Sequence, residues 1–272
     1  MRIAFIGDIV GRPGRKIISH HLTKLRDEYS IDCVIANGEN TSHGFGLTVK
    51  NANELFKYGV DVITGGNHTW DKKQDIVALL EDNRVLRPAN YPEGVKGKGV
   101  GIYEINDTKL AVINLMGLFT MPQCENPFIL AKQIIEDLHS QNIKHIFCDF
   151  HAEATAEKRV LFTILKNQIS AMCGTHTHVG TDDMQIADGT FYLTDIGLTG
   201  CHDNVIGMDS AIPVKKALTG LGGHFKIPND CKSILQMAII DIDNDGKAKD
   251  GQKIKIYSDG QKTITSAYQA KN

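Results

Sequence analysis

The sequence predicts an α/β fold in which mixed, partly parallel sheets are flanked by helices. Three observations lead there. The first half alternates short β-rich runs with amphipathic runs of helical period, the order that builds a parallel sheet covered by helices. The second half turns to paired β-rich runs. Five of the predicted strands end in a residue able to bind a metal or move a proton.

The elements follow in order. Arg2–Gly7 (RIAFIG) is a buried strand and Arg15–Tyr29 a helix. Asp32–Asn37 is the second strand, Thr48–Tyr58 the second helix, Val60–Gly65 the third strand and Asp71–Glu81 the third helix. Gly99–Asn106 and Lys109–Met116 read as a hairpin joined by Asp107-Thr108. Asn126–Ser140 is helical, Lys144–Phe150 a strand, Thr155–Lys166 a helix and Ile169–Gly174 a strand. Gly189–Thr194, Ser233–Asp241 and Lys253–Tyr257 complete the strands. No repeat, low-complexity tract or linker divides the chain, so one domain spanning 1–272 is expected.

Composition narrows the function. Of 272 residues, 42% are apolar and 23% charged, an ordinary globular balance. With 30 basic and 32 acidic residues the net charge is −2, which gives no electrostatic footprint for a nucleic-acid backbone or an anionic membrane. The N-terminal apolar run is broken by Asp8, so it is no signal peptide. No run approaches the roughly 20 apolar residues of a membrane span. A cytoplasmic protein is expected. The six cysteines are scattered without a C-x-x-C pair and are expected to be free thiols, with Cys33, Cys148 and Cys173 serving as small core residues.

The metal-capable residues share one edge. Asp8 follows the first strand, Glu39 and Asn40 the second, and Asn67 and His68 the third. His151 follows Lys144–Phe150, and His176 and His178 follow Ile169–Gly174. Sites in α/β sheets form outside the carboxyl ends of strands, and chance scatter would not favour that edge. Two carboxylates, amide oxygens and three imidazoles suit a pair of divalent cations, with Glu39 as the bridging carboxylate. Such pairs, roughly 3.5–4 Å apart, activate water and clamp a phosphoryl group. The O/N donor set without thiolate favours manganese or iron. For the rings of His176 and His178 to lean to one side the loop must twist, and Gly174 is expected to permit it.

The ordered motifs GD, GEN, GNH, FH and GTHTH resemble those of the calcineurin-like metallophosphoesterases. The general pattern there is D-x-H, G-D, G-N-H, H and G-H-x-H. Two departures, no His after Asp8 and Glu39 in place of an Asp, resemble one bacterial branch, the YmdB-type 2′,3′-cyclic-nucleotide phosphodiesterases. GDIVGRPGR, GNHTWDK, NLMG, DFHAEATAEK and YLTDIG are similar to that branch too. The resemblance implies a metallophosphoesterase-like α/β sandwich and a dinuclear iron or manganese centre. Asp8, Glu39, Asn40 and His178 would hold one metal, and Glu39, Asn67, His151 and His176 the other. His68 would be the general acid that protonates the leaving ribose oxygen after in-line attack by a metal-activated hydroxide.

Other features carry blander readings. His20-His21, His139 and His145 are surface or boundary residues. Trp70 either stacks a base or packs beneath its loop. Arg12 and Arg15 either meet phosphate or lie on a solvated face, with a helix start as a further reading of Arg15. Asp241-x-Asp243-x-Asp245-Gly246 is a polar hairpin turn, since Gln252 stands where a calcium loop needs Glu. Gly94, Gly97, Gly99 and Gly101 mark a mobile connection. Leu118–Glu125 and Gly200–Ser210 are expected to wall the pocket.

The expected function is hydrolysis of small cyclic nucleotides of the 2′,3′-cAMP/cGMP type. A broad phosphomono/diesterase, an RNA phosphodiesterase and a nucleotide-sensing regulatory binding protein are the alternatives. The expected partner is a small nucleotide or other phosphodiester, with no membrane. Nucleic acid is compatible but not favoured, and a homo-oligomer is compatible with the sequence.

Overall fold

Strand β1 (Arg2–Ile6) shows why the chain folds in layers. Ala4 and Ile6 face a helix-lined core, whereas Ile3 and Phe5 face a second sheet. A strand buried on both faces reads as a continuous apolar run. The computed structural model describes residues 1–228 and 230–270. It places β1 in a seven-stranded sheet ordered β13 (Lys262–Ser266), β12 (Ala248–Tyr257), β11 (Ser233–Ile242), β1, β2 (Cys33–Asn37), β3 (Val62–Thr64), with β10 (Gly200–Cys201) also beside β11. The second sheet is ordered β14 (Tyr268–Gln269), β8 (Gln185–Ala187), β9 (Thr190–Leu193), β7 (Ala171–Thr175), β6 (His145–His151), β5 (Thr108–Met116), β4 (Val100–Ile105).

Both sheets are mixed. β1, β2 and β3 are mutually parallel, as are β5, β6, β7 and β9; β11 returns antiparallel to β1. Helices α1 (Gly11–Glu28), α2 (Val49–Tyr58) and α3 (Lys73–Leu79) cover the outer face of the first sheet. Helices α4 (Pro127–Ser140) and α5 (Thr155–Leu165) cover that of the second. Between the sheets Phe5 meets Phe147 at a ring separation of 4.8 Å. Phe147 is fully buried there, so Phe147→Ala is expected to cost about 3–5 kcal/mol, read as a lower urea midpoint at unchanged m-value.

The α/β sandwich with flanking helices is the predicted class, and most element edges fall within two residues of expectation. Thr48 caps α2 and Asn126 caps α4 through their side chains. α1 starts at Gly11 rather than Arg15. Pro13 lies in its first turn, where the missing N–H costs nothing. The β4–β5 turn is Asn106-Asp107, both at positive φ, one residue earlier than expected and of the kind that matches hairpin twist. Asp243 Oδ1 accepts from the Asp245 and Lys247 amides, so the Asp241–Gly246 stretch is the polar turn of the β11–β12 hairpin.

Two expectations need correction, and some elements go beyond the sequence reading. Cys201 and Cys231 form a disulfide with a Cα separation of 5.6 Å, leaving four free cysteines. The pairing arises because Cys201 lies opposite Ser233 in the β10–β11 ladder, an alignment invisible across 30 residues of sequence. The glycine-rich connection is tied down. The Arg87 guanidinium donates to the carbonyls of Pro88, Ala89, Val95 and Lys96. Helix α6 (Ala211–Thr219) and the short strands β8, β10, β13 and β14 were not predicted. α6 buries no residue, and the strands are mostly too short to show a period. Among the described residues no helix is long and apolar enough to cross a membrane.

Candidate active site

Asp8 follows β1, Glu39 and Asn40 follow β2, and Asn67 and His68 follow β3; His151 ends β6, and His176 and His178 follow β7. The carboxyl ends of strands from both sheets therefore meet at one place. The first three loops follow strands of the first sheet, and the last two follow strands of the second.

The tightest group is Glu39, Asn67, His151 and His176. His151 Nε2 lies 3.2 Å from Glu39 Oε1, 2.7 Å from Asn67 Oδ1 and 3.1 Å from His176 Nδ1. Beside it, His178 Nε2 lies 3.3 Å from Asn40 Oδ1 and 3.9 Å from Asp8 Oδ1. Asn40 is held in that pose because its Nδ2 donates to the Gly44 carbonyl. All seven predicted ligand residues are thus brought together. His68 stands apart from them. Its Nδ1 pairs with Asp71 Oδ2 at 2.8 Å, and its backbone N–H donates to Glu39 Oε2.

Hydrogen bonds on the far side of two of the rings set the outer proton, and a carboxylate faces the third. Thr175 Oγ1 donates to Asp149 Oδ1 and so must accept from His151 Nδ1–H, 3.0 Å away. His178 Nδ1 faces the Ile206 carbonyl at 2.8 Å, which only accepts. His176 Nε2 faces Glu153 Oε2 at 3.0 Å. The other nitrogen of each ring faces inward, and for His151 and His178 the outer hydrogen bonds hold it so, the arrangement by which outer partners orient metal-ligating histidines. Ring nitrogens, carboxylates and amide oxygens converging in this way are the donor types that suit a cation.

The charges say the same. Burial pushes Asp8 up, and its Oδ1 is buried without a hydrogen-bond partner. Burial also opposes ionisation of Glu39, but the facing His151 and the nearby His68 outweigh it and hold the carboxyl at about 2. Burial would lower His151, yet Glu39 and Asp8 raise it to about 9. Burial and the neighbouring His151 push His176 down to about 3, which leaves the ring neutral, the form able to ligate. The raised His151 reflects how strongly this cluster of acceptors favours a positive charge among them. Gly66 leaves the space: a Cβ there would stand 2.3 Å from Glu39 Oε2 and 2.5 Å from the His151 ring. Glu39, His151 and His176 form a group able to hold a metal ion, and the orphaned Asp8 oxygen shows that the wider residue set fits one too.

Supporting residues lie in motifs whose role the sequence left open. Asn114, in NLMG, bonds both the N–H and the carbonyl of Gly65 and holds the GGNH loop. Asp149 receives Thr64, Thr175 and Asn37, and burial raises it to about 6 against those bonds. Lys158 and Asp195 form a fully buried ion pair at 2.7 Å. Asp195 Oδ2 also accepts from the N–H and hydroxyl of Thr177, the residue between the two loop histidines. The twist expected at Gly174 sits instead at His176 and His178, with φ of 100° and 64°. Gly174 serves close approach, since a Cβ there would lie 1.8 Å from the Thr194 carbonyl. A histidine pair at positive φ is costly, and the Asp195 anchor is what holds it.

The site opens into a cavity of about 670 Å³, the size of a small-ligand pocket. Its polar floor includes Glu39, Asn40, His68, Glu153, His176 and His178; its other wall includes Phe45, Val205, Ile206, Met208 and Phe225. Gly200–Ser210 contributes to the wall as expected, but Leu118–Glu125 does not. Trp70 packs against the helix-side core and the Tyr91 ring and does not line this cavity. Arg12 does not line it either, and Arg15 is neither solvated nor at the site; it holds Glu54 and the Thr41 carbonyl.

The profile of the YmdB-like protein family matches residues 4–254. The chain is 44% identical over 248 residues to a Bacillus subtilis protein named 2′,3′-cyclic-nucleotide 2′-phosphodiesterase, covering 91% of this chain and 93% of that one. A crystal structure described as a novel phosphatase of Mycoplasma pneumoniae superposes with a TM-score of 0.89 at 32% identity, over 94% and 93% of the two chains. A hypothetical protein of Thermus thermophilus superposes with a TM-score of 0.87 at 34% identity, over 98% and 100%.

Proposed function

The chain belongs to the YmdB-like protein family, and from that premise we propose that it is a metal-dependent phosphodiesterase of small cyclic nucleotides, 2′,3′-cAMP and 2′,3′-cGMP in type. The observation that carries the reading is the convergence of one nitrogen from each of three histidines, two of them oriented by outer hydrogen bonds, on Glu39, Asp8 and two amide oxygens. Asp8, Glu39, Asn40 and His178 would hold one divalent cation. Glu39, Asn67, His151 and His176 would hold a second. The donor set favours iron or manganese. When bound, the two cations supply the charge that acidifies a water and stabilises the phosphoryl oxygens.

The chain's own residues do the rest. His68 lines the cavity beside this group without belonging to it. Asp71 pairs with its Nδ1, which orients the ring and leaves Nε2–H to serve the leaving ribose oxygen. The Glu39 bond to the His68 N–H keeps acid and ligand group in register. The Lys158–Asp195 pair and Asn114 fix the loops on which the histidines sit.

A side-by-side panel tests the substrate class. Turnover is expected to be fastest on 2′,3′-cyclic nucleotides and slower on 3′,5′-cyclic nucleotides, phosphomonoesters and short RNA. Equal or faster monoester turnover would replace this reading with a broad phosphatase.

A further inference from the structure

The apolar wall of the cavity has no part in holding metal or moving protons. It is built from two excursions outside the sandwich. Phe45 comes from the turn after β2; Val205, Ile206, Met208 and Phe225 come from the stretch between β10 and β11. The Phe45 and Phe225 rings are 6.5 Å apart and tilted by 48°, and Phe45 meets the His68 ring edge-on at 4.9 Å. The wall thus runs directly from the acid that would serve the ribose. Ile206 ties it to the polar floor through its carbonyl on His178. That β-branched residue sits at φ 45°, a strained conformation for such a side chain that keeps the carbonyl on the ring.

Resting on the phosphodiesterase reading, we propose that Phe45, Phe225 and Met208 form the nucleobase subsite. A base joined to a ribose at His68 is the flat aromatic group that must lie one sugar's width from the reacting phosphorus. Phe45, Val205, Ile206, Met208 and Phe225 offer ring faces and a thioether, and Lys216, which also lines the cavity, is a single flexible donor that an acceptor on any base can meet. Stacking on such a surface is tolerant of sequence because every base has a π-face. The subsite therefore accepts all four bases and favours purines through their larger area, while phosphodiesters without a base gain nothing from it.

The test compares 2′,3′-cyclic AMP with 1-O-methylribose 2′,3′-cyclic phosphate, which keeps the reacting ring and lacks the base. Stacking of one base predicts that the manganese-loaded protein prefers the nucleotide by about 5- to 150-fold in kcat/KM, mainly through KM. Phe225→Ala is expected to bring that ratio close to one and Phe225→Trp to restore it. Phe225 lies half-exposed on a surface segment, so its truncation opens no sealed core. A wild-type ratio near one, or an equal loss on both substrates in Phe225→Ala, overturns the subsite. Calorimetric binding of 3′-AMP against ribose 3-phosphate provides an arm that needs no turnover. Phe225-dependent preference for 3′-AMP without any hydrolysis would uphold the subsite and overturn the phosphodiesterase reading; no preference would overturn the subsite itself.

Discussion

Replacing His68 by alanine is expected to lower kcat on 2′,3′-cyclic AMP by about 10²–10⁴-fold, the range of general acid catalysis, with bound metal unchanged. The structure separates the two readouts. His68 lines the cavity, yet its ring is paired with Asp71 and not with Glu39, His151 or His176. Only its backbone N–H touches Glu39, and alanine keeps that bond. Elemental analysis of the variant is expected to match wild type while turnover collapses. A substrate with a good leaving group, needing no protonation, is expected to lose far less. Full activity of His68→Ala on the cyclic nucleotide would remove the proton donor from the mechanism, and loss of metal would make His68 a structural support of the ligands.

Glu39→Gln is expected to have the other large effect. Glu39 belongs to the tightest group, with Oε1 3.2 Å from His151 Nε2 and Oε2 bonded to the His68 amide, and it is the carboxylate proposed to bridge the two cations. Glutamine keeps the shape and removes the charge. Outer partners of metal ligands alone are worth about 10–100-fold in affinity or activity, so loss of a bridging ligand is expected to exceed about 100-fold in kcat/KM. Bound manganese, counted per chain after gel filtration, is expected to fall from two to one or fewer. The variant should fold, because it removes a buried charge without leaving a void. Unchanged metal content in a folded Glu39→Gln protein would show that this carboxylate bridges nothing.

Much of this arrangement is legible in the sequence. Asp8, Glu39, Asn40, Asn67, His151, His176 and His178 stood out because each follows a strand whose doubly buried, apolar character marks it in the sequence, and parallel strands deliver their ends to one edge. What stayed hidden lacks a period or a side-chain signature. The acceptor that fixes His178 is the backbone carbonyl of Ile206, which no residue type announces. Phe225 and Met208 sit in an irregular excursion with one short exposed helix, where hydrophobic spacing says nothing about facing. Asp71 and Glu153 lie three and two residues from His68 and His151, and only the loop geometry turns them onto the histidine rings. The twist was assigned to Gly174 because glycine adopts positive φ without cost; the histidines adopt it instead because Asp195 and Lys158 hold the loop between them.

The central claim is that this edge is a metal-dependent phosphodiester site. Turnover of 2′,3′-cyclic AMP by protein stripped with a chelator, and then titrated with manganese, tests it most directly. The account predicts no turnover in the stripped protein and recovery that saturates near two equivalents per chain. Undiminished turnover in protein shown by elemental analysis to hold no metal, or none after two equivalents have bound, would contradict it.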